Sequence, residues 1–311
     1  MPFDAMFLTA VAAELRPTLV GARVDKVQQP ARDTVVLQLR GRDGGGRLLL
    51  SANGNRPRVH LTQAQLENPA QPPMFCMLLR KHLAGGRLAG IRQPTAERML
   101  DLTFDCTDEL GVPCRKHLIL ELVGRNSNLI LTGPDGRILD CLRRVDFEMS
   151  ELRQLLPGLA YTLPPKPARP DFLETSAASI VAAACEKDLP VAQALGKTVA
   201  GVGPVVVREA VCRALGETPA LACDLTADEK AHLAAAIDAL KDEHAHGGTP
   251  TAVRLPQADG VPKPVEFSFF VPQQYGSEAI LTQYPSYSEM LEDYYATKDR
   301  AERLRQKSRE L

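Results

Sequence analysis

The sequence predicts an α+β fold: an antiparallel sheet with helices, then an all-helical module and a long terminal helix. Short apolar segments separated by turn residues run from residue 22 to residue 142. The later segments leave no room for helices between them, which favours an antiparallel meander over a parallel sheet. Residues 172–245 are rich in alanine and poor in aromatic residues, which is typical of a small helical module. The proline-rich stretch 163–171 indicates a connector between the two parts.

The N-terminal segment predicts a helix because Phe7, Val11 and Leu15 fall on one helical face. Asp4 is placed to cap its first turn, and Pro17 is expected to stop it near its end. A second helix is expected from about Met74 to Leu83, before a Gly-Gly pair of the kind that ends helices. The predicted strands of this part span residues 22–27, 34–39, 48–51, 87–91, 99–104, 116–123, 129–131 and 137–142.

The remainder of the chain predicts three further segments. Residues 171–246 form the helical module, and 247–286 return to β and turn residues, which we interpret as a β-hairpin segment. From residue 287 a helix carries apolar and small residues at alternating spacings of four and three, the seam of a coiled coil. This pattern stops before the several heptads that a stable coiled coil needs, so we expect a truncated coiled coil at 287–311 and a longer parent protein. The seam residues are Met290, Tyr294, Thr297, Ala301, Leu304, Ser308 and Leu311.

The formal net charge of −1 gives no bulk attraction for nucleic acid, but the charge is unevenly distributed. Residues 1–150 carry 20 Lys and Arg against 16 Asp and Glu, whereas residues 151–311 carry 17 against 22. A local basic cluster lies between residues 80 and 98, where Glu97 is the single acid. This half of the chain is therefore the better candidate for an anion-binding face.

Three motifs are candidates for RNA contact, and each has a structural alternative. Gly201-Val202-Gly203 followed by Pro204 is the pattern of a helix-hairpin-helix, whose backbone N–H groups bind phosphate, although a tight turn between helices has the same pattern. Arg80, Lys81 and His82 end the second helix, where cations also stabilise the helix dipole. Arg125 and Asn128 interrupt an apolar strand, as in a turn or a β-bulge, but they also suit single-stranded RNA.

Several classes of site are absent from the sequence. The seven cysteines include no C-x-x-C pair and the six histidines no H-E-x-x-H, so we predict no metal site. Nucleophile-elbow, P-loop and kinase motifs are missing, and nothing points to an enzyme, a cofactor or a small-molecule substrate. No apolar run reaches the length of a membrane span, and the N-terminus lacks a signal-peptide pattern, so a cytoplasmic location is expected.

Together these segments resemble the NFACT family, the family of bacterial RqcH, also called fibronectin-binding protein A-like, and of eukaryotic NEMF. The resemblance implies an NFACT-N domain at 1–170, similar to the N-terminal domain of formamidopyrimidine-DNA glycosylase, a helix-hairpin-helix module and the start of a coiled coil. It also implies binding to the large ribosomal subunit that carries peptidyl-tRNA. The matching segments, in the family's order, are 1–15, 21–30, 72–88, 121–131 and 286–311.

In function, the resemblance implies that tRNA, with alanyl-tRNA expected, is recruited for C-terminal tailing of stalled nascent chains, while the ribosome performs the chemistry. The family's Asp-Arg pair for tRNA handling corresponds here to Glu97-Arg98, with the carboxylate one methylene further out. Arg80, Lys81, Arg125 and Asn128 lie inside matching segments, and their contact with tRNA is an inference from their chemistry.

Two other classes of function remain open at this point. A DNA glycosylase or AP lyase would use Pro2 as a secondary amine that forms a Schiff base with an abasic sugar, but Phe3 stands where that family has a glutamate. A fibronectin-binding surface adhesin is the third class, and the absence of an export signal argues against it.

Overall fold

A computed structural model describes residues 3–42, 44–165, 168–216, 221–258 and 260–309. The chain divides into two compact units: one comprises Val11–Lys166, and the other comprises Met1–Ala10 together with Pro167–Leu311. This division differs from the expected 1–170 domain at its N-terminal end, because the first ten residues group with the second unit. The other boundary between the two units falls between residues 166 and 167, within the proline-rich stretch 163–171.

The Val11–Lys166 unit contains one antiparallel sheet, which confirms the predicted antiparallel α+β architecture. Its strands follow the order β4-β3-β2-β1-β5-β6-β7-β8-β9 in the described residues, so only the β1–β5 pair joins strands separated by a helix. Strand β4 is absent from the sequence-based prediction because its four residues are too short for a clear alternating pattern. The strands are β1 Arg23–Ala31, β2 Thr34–Arg40, β3 Gly45–Ser51, β4 Arg58–Leu61, β5 Arg87–Arg92, β6 Met99–Thr107, β7 Pro113–Glu121, β8 Asn128–Thr132 and β9 Ile138–Cys141.

The two predicted helices of this part are present as α1, Ala5–Leu19, and α2, Met74–Leu83. The sequence predicts that Pro17 stops helix α1 near its end. The helix continues two residues past this proline. A proline lacks its own backbone N–H, and its ring clashes with the preceding turn. The residues that follow it can therefore still adopt helical conformation. The helix ends before Gly21, whose φ of +91° is the left-handed conformation common at helix C-termini.

Both faces of this sheet contribute to a buried core. Leu100, Leu102 and Phe104 of β6 are fully buried on the face that carries α2. On the opposite face, Met99 and Ile119 form a second cluster with residues of β8 and β9, and Leu155 and Tyr161 from the segment after β9 pack over it. The sheet thus packs against a core on both sides around β6, while residues along β1 and β5, among them Asp25, Arg87 and Arg92, remain exposed to solvent.

Besides the first residues of α1, the described part of the second unit contains helices α3 to α6, a small sheet and the terminal helix. The segment 247–286, predicted as a hairpin, is a three-stranded sheet in the order β11-β10-β12, because β12 pairs with the free edge of β10. The short β12 follows a long loop, which hides it from a local sequence pattern. The elements are α3 Ala177–Cys185, α4 Val191–Thr198, α5 Pro204–Leu215, α6 Ala227–Ala245, β10 Thr251–Leu255, β11 Lys263–Ser268, β12 Ile280–Gln283 and α7 Tyr287–Arg309.

An aromatic cluster explains why the N-terminal residues belong to this unit. The rings of Phe3 and Phe7 lie 6.0 Å and 4.8 Å from the ring of Phe267 on β11. Phe7 also contacts Tyr287 edge to face, at 5.5 Å between ring centroids. Such aromatic pairs add to the stabilisation from burial.

The beginning of α7 packs on this same cluster. The ring of Tyr294 lies 5.0 Å from that of Phe267, and Met290 is fully buried, so two of the predicted seam residues are already buried within this unit. The helix itself is confirmed as far as Arg309, and a coiled coil remains a prediction. The side chains of Ala301, Leu304 and Ser308, and the whole of Leu311, lie outside the described residues.

Candidate nucleic-acid interface

The structure separates the six residues predicted to bind tRNA into two groups. Met99, Glu121 and Asn128 are direct cross-strand neighbours, so the start of β6, the end of β7 and the start of β8 meet at one end of the sheet. The backbone N–H of Leu122 donates to the carbonyl of Arg98 (2.8 Å), which fixes Arg98 beside this row. We call residues 97–98 and 121–128 the Arg98 end. Arg80 and Lys81 lie toward the other end of β6, about 25 Å along a strand of this length.

The backbone of the Glu97-Arg98 pair is held in a tight turn. The Glu97 N–H donates to the Pro94 carbonyl (3.1 Å), and Gln93 Nε2 donates to the Glu97 carbonyl (2.9 Å). Ala96 has φ +60°, a conformation that costs a non-glycine residue about 1 kcal/mol or more and that clusters at functional sites. Both side chains of the pair are half-buried. The turn therefore fixes the backbone of the pair at the start of β6.

Arg125 lies in a single 3₁₀ turn, Gly124–Asn126, between β7 and β8. Gly124 has φ +56°, which explains the glycine that begins the turn. The side chains of Arg125 and Asn126 are exposed, and the exposed Arg143 donates from its guanidinium to the Arg125 carbonyl. Two guanidinium groups and a carboxamide therefore reach solvent beside each other at the Arg98 end.

Asn128 has a different environment from the one predicted. It is 1% exposed, and its Nδ2 donates to the Arg143 carbonyl (2.7 Å). Its Oδ1 accepts from the backbone N–H groups of Arg143 (2.9 Å) and Leu129 (2.9 Å). These bonds join the start of β8 to the segment after β9, so Asn128 supports the Arg98 end from within. The sequence alone does not distinguish an asparagine whose amide is buried and hydrogen-bonded from one whose amide is exposed.

Glu121 is a component of this end that sequence reasoning missed. Its carboxylate, 2% exposed at the side chain, accepts two bonds from the Arg153 guanidinium, at 3.0 Å and 2.5 Å. Tyr161 donates to the same carboxylate (2.7 Å), and burial, followed by the charge of Glu121, raises the pKa of the Tyr161 phenol well above its usual range. The only sequence signal is an acid between the apolar residues Leu120 and Leu122, where alternation would place it on a covered face.

A pocket of about 440 Å³ opens above this buried ion pair. This volume lies within the range of pockets that hold small organic groups. Its lining combines apolar side chains with amide, hydroxyl and charged groups, which suits a ligand that has both an apolar surface and hydrogen-bonding atoms. Its lining residues are Glu121, Val123, Asn126, Asn128, Arg143, Val145, Met149, Ser150, Leu152, Arg153, Leu155, Pro164 and Pro165.

The basic residues of α2 are engaged in contacts within their own unit. Arg80 Nε donates to the Val27 carbonyl (2.9 Å), and Lys81 Nζ lies 2.6 Å from the Glu109 carboxylate. Burial and the adjacent Lys116 ammonium lower the pKa of the His82 imidazole, whose Nδ1 lies 3.1 Å from Lys116 Nζ. These contacts fit the structural alternative, in which this helix end is tied to β1 and to the β6–β7 hairpin.

The Gly201-Val202-Gly203 turn joins α4 to α5, and an internal carboxylate lies against it. Asp4 Oδ2 accepts the Gly203 N–H (2.6 Å), while Asp4 Oδ1 accepts the Phe7 N–H (2.7 Å) and so caps α1 as predicted. A Cβ on Gly203 would lie 2.8 Å from Asp4 Oδ2, and Gly201 has φ +85°, so the two glycines are required for different reasons. A phosphate would have to displace Asp4 from the Gly203 amide, and phosphate binding here remains a prediction.

The structure offers little for the alternative chemistries. Phe3 is 1% exposed within the aromatic cluster, so this position serves packing, and Pro2 lies outside the described residues. Among the residues that are described, no group of three or more His, Cys, Asp or Glu side chains is arranged to hold a metal ion. No helix in that same part of the chain combines the length and apolarity needed to cross a membrane.

Solved structures share this fold. The crystal structure of the fibrinogen binding protein from Staphylococcus aureus matches with a TM-score of 0.77 at 25% identity, over 95% of this chain and 99% of that one. The N-terminal part of the fibronectin/fibrinogen-binding protein from Streptococcus suis matches with a TM-score of 0.74 at 27% identity, over 94% and 99%.

Sequence relatives give the family. The chain is 36% identical to a protein named Rqc2 homolog RqcH from Bacillus subtilis, over 69% of this chain and 38% of that protein. It is 35% identical to the ribosome quality control complex subunit NEMF of Homo sapiens, over 45% of this chain and 12% of that protein. The match to two bacterial relatives named RqcH covers 38% and 30% of their length. Residues 4–311 match the family described as NFACT N-terminal and middle domains, and the chain therefore belongs to the NFACT family.

Proposed function

We propose that this chain belongs to a ribosome-associated quality control factor and that it binds tRNA at the Arg98 end of its sheet. The factor would bind the obstructed large ribosomal subunit with peptidyl-tRNA and recruit tRNA, with alanyl-tRNA the expected species, for C-terminal tailing of stalled nascent chains. The names of the bacterial and human relatives support the coarser part of this proposal. The observation that carries the tRNA part is the meeting of Arg98, Arg125 and Arg143 at one end of adjacent strands.

The chemistry of the Arg98 end suits a folded RNA. Guanidinium groups bind phosphate oxygens bidentately, and fixed strand ends set the spacing between them. The adjacent pocket is lined by apolar side chains and by the exposed Asn126, whose amide suits a base that is turned out of a loop. Phosphate contacts would therefore position the tRNA, and the pocket would test one of its unpaired bases.

In this proposal the protein has no catalytic residue and needs no cofactor. Peptide bond formation belongs to the ribosome, and this chain contributes affinity and orientation. Its place of action would be the cytoplasm, where ribosomes stall. Polar groups of Arg80, Lys81 and the glycine turn bind partners within their own units, and their contact with tRNA stays a prediction that this proposal does not depend on.

A comparison of three variants tests the proposal. Arg98→Ala and Arg125→Ala should each weaken tRNA binding by about tenfold, the typical value of a charge-assisted contact. Arg115→Ala removes the same charge near the other end of β6, where Arg115 pairs with Asp105, and should leave the affinity unchanged because Arg115 is not among the predicted contact residues. Affinity for purified alanine tRNA is measured by filter binding at fixed salt, with circular dichroism as the folding control. Equal losses in all three variants, or no loss in Arg98→Ala, would contradict the proposal.

A second candidate function is binding of fibronectin or fibrinogen, which the names of the two solved structures favour. Surface plasmon resonance on immobilised human fibronectin distinguishes the two functions. Saturable binding that Arg98→Ala leaves unchanged, together with no preference for tRNA over a polyanion such as heparin, would support the adhesin.

A further inference from the structure

We infer that residues 146–152 form a docking site for a basic amphipathic helix of another protein. This segment, the 146–152 strip, has the sequence Asp-Phe-Glu-Met-Ser-Glu-Leu and follows β9. Phe147, Met149 and Leu152 are 66%, 62% and 88% exposed. Three large apolar side chains within seven residues form a concentrated apolar surface of the kind that marks an interaction site. The strip borders the pocket of the proposed tRNA site, so a helix bound here would exclude a base from that pocket, but the docking inference itself does not require tRNA binding.

The strip is folded, which makes it a preformed surface. The Ser150 N–H donates to the Asp146 carbonyl (3.1 Å), and the Met149 N–H donates to Asp146 Oδ1 (3.0 Å). Gln154 Nε2 donates to the Ser150 carbonyl (2.8 Å), which extends the turn toward the buried Leu155. A partner would therefore bind without ordering this segment first.

The strip also has a cavity for an apolar anchor. Met149 and Leu152 line the pocket of about 440 Å³, together with Leu155, Pro164 and Pro165. The exposed faces of Met149 and Leu152 continue from the pocket to the surface. A large apolar side chain from a partner can enter between them, as the central anchors of protein interfaces do.

Charge selects the class of partner. The strip carries Asp146, Glu148 and Glu151 and no cation. The neighbouring Arg144 and Arg153 are paired with Asp140 and Glu121, at 3.0 Å and 2.5 Å. In the described part of the chain, no cation lies within ion-pair distance of Glu148 or Glu151. Carboxylates repel RNA phosphates, so the strip does not suit nucleic acid, and Lys or Arg of a protein partner would complement it.

The same charge disfavours a second copy of this chain. In a two-fold symmetric dimer each patch faces its own equivalent, so two strips would bring six carboxylates together. An amphipathic helix with leucine on one face and lysine on its flanks matches both the apolar row and the acids. The strip adjoins the Arg98 end, where cations are exposed. The strip itself is acidic, so the two neighbouring surfaces have opposite charges.

The experiment uses the whole chain and a fluorescein-labelled leucine–lysine helical peptide, with binding followed by anisotropy. Leu152→Ser should weaken binding by at least about tenfold, because it removes most of one buried leucine contact. Glu148→Gln combined with Glu151→Gln should weaken it as well and reduce its dependence on salt. A leucine–glutamine peptide should bind more weakly than the leucine–lysine peptide.

The matched control is Leu110→Ser. Leu110 is 88% exposed, like Leu152, and follows Asp108 and Glu109, but it lies in the β6–β7 hairpin at the other end of β6. This variant should bind the peptide like the unmodified protein. The inference is overturned if Leu110→Ser and Leu152→Ser lose equal affinity, if the uncharged peptide binds equally well, or if no saturable binding occurs. Self-association that Leu152→Ser abolishes would overturn it too, and would assign the strip to an interface between copies.

Discussion

Asp4 joins two distant parts of the second unit, and its removal should have a large and calculable effect. Asp4→Ala removes the cap of α1, which costs about 1 kcal/mol. It also leaves the Gly203 N–H without an acceptor in a buried position, which costs about 1 to 3 kcal/mol more. We therefore expect the free energy of unfolding to fall by about 2 to 4 kcal/mol. Asp4→Asn keeps one carbonyl oxygen for the two donors. Its free energy of unfolding should therefore lie between those of Asp4→Ala and the unmodified protein.

The matched control is Ser176→Ala. Ser176 caps α3 by accepting the Ser179 N–H (3.2 Å), but it lies in an exposed turn, so its removal should cost about 1 kcal/mol or less. Urea unfolding followed by circular dichroism measures both variants, and hydrogen exchange at the Gly203 amide reports on the specific bond. Sulfate should stabilise Asp4→Ala more than the unmodified protein, because the vacated amide is then open to an anion. An equal loss in Asp4→Ala and Ser176→Ala would refute the reasoning.

Three further predictions follow from buried polar groups. Glu121→Ala should lower the free energy of unfolding by about 3 to 5 kcal/mol, because it leaves the buried Arg153 guanidinium without its counter-ion. Asp105→Asn, which breaks an exposed pair, should lower it by under about 1 kcal/mol. Urea unfolding of both variants checks this, and similar losses would contradict it. Asn128→Ala should lower the free energy of unfolding by about 2 kcal/mol through its lost bonds to Arg143, and a change within about 0.5 kcal/mol would instead indicate a surface role. Burial raises the pKa of Glu266 from 4.5 to about 7, so the folded state holds a proton that the unfolded state releases between these values. The free energy of unfolding should therefore fall as pH rises from about 4.5 to 7, by at most about 3 kcal/mol, and Glu266→Gln should remove this dependence. Unfolding titrations at pH 5 and 8 check this. An equal change in the free energy of unfolding of Glu266→Gln and of the unmodified protein would contradict it.

Local signals in the sequence predict local features of this fold well. The bounds of α2, the cap of α1 by Asp4 and the antiparallel meander all depend on residues a few positions apart, and the structure confirms each of them. Strand β12 depends instead on pairing across a loop, with Thr251 opposite Gln283, and the grouping of Phe3 with Phe267 spans most of the chain. Such pairings are set by the packing of the whole unit, which a single sequence does not display.

The candidate site shows the same limit in chemical form. A glycine turn, an asparagine in a strand or a lysine at a helix end signals a hydrogen-bonding group that local structure leaves unsatisfied. That group can bind a ligand or a distant part of the same chain, and both choices satisfy it equally. Here Gly203 binds Asp4, Asn128 binds Arg143 and Lys81 binds Glu109. Arg125 differs, since the structure exposes its side chain beside that of Arg143, and the search for tRNA contacts should therefore begin at this pair.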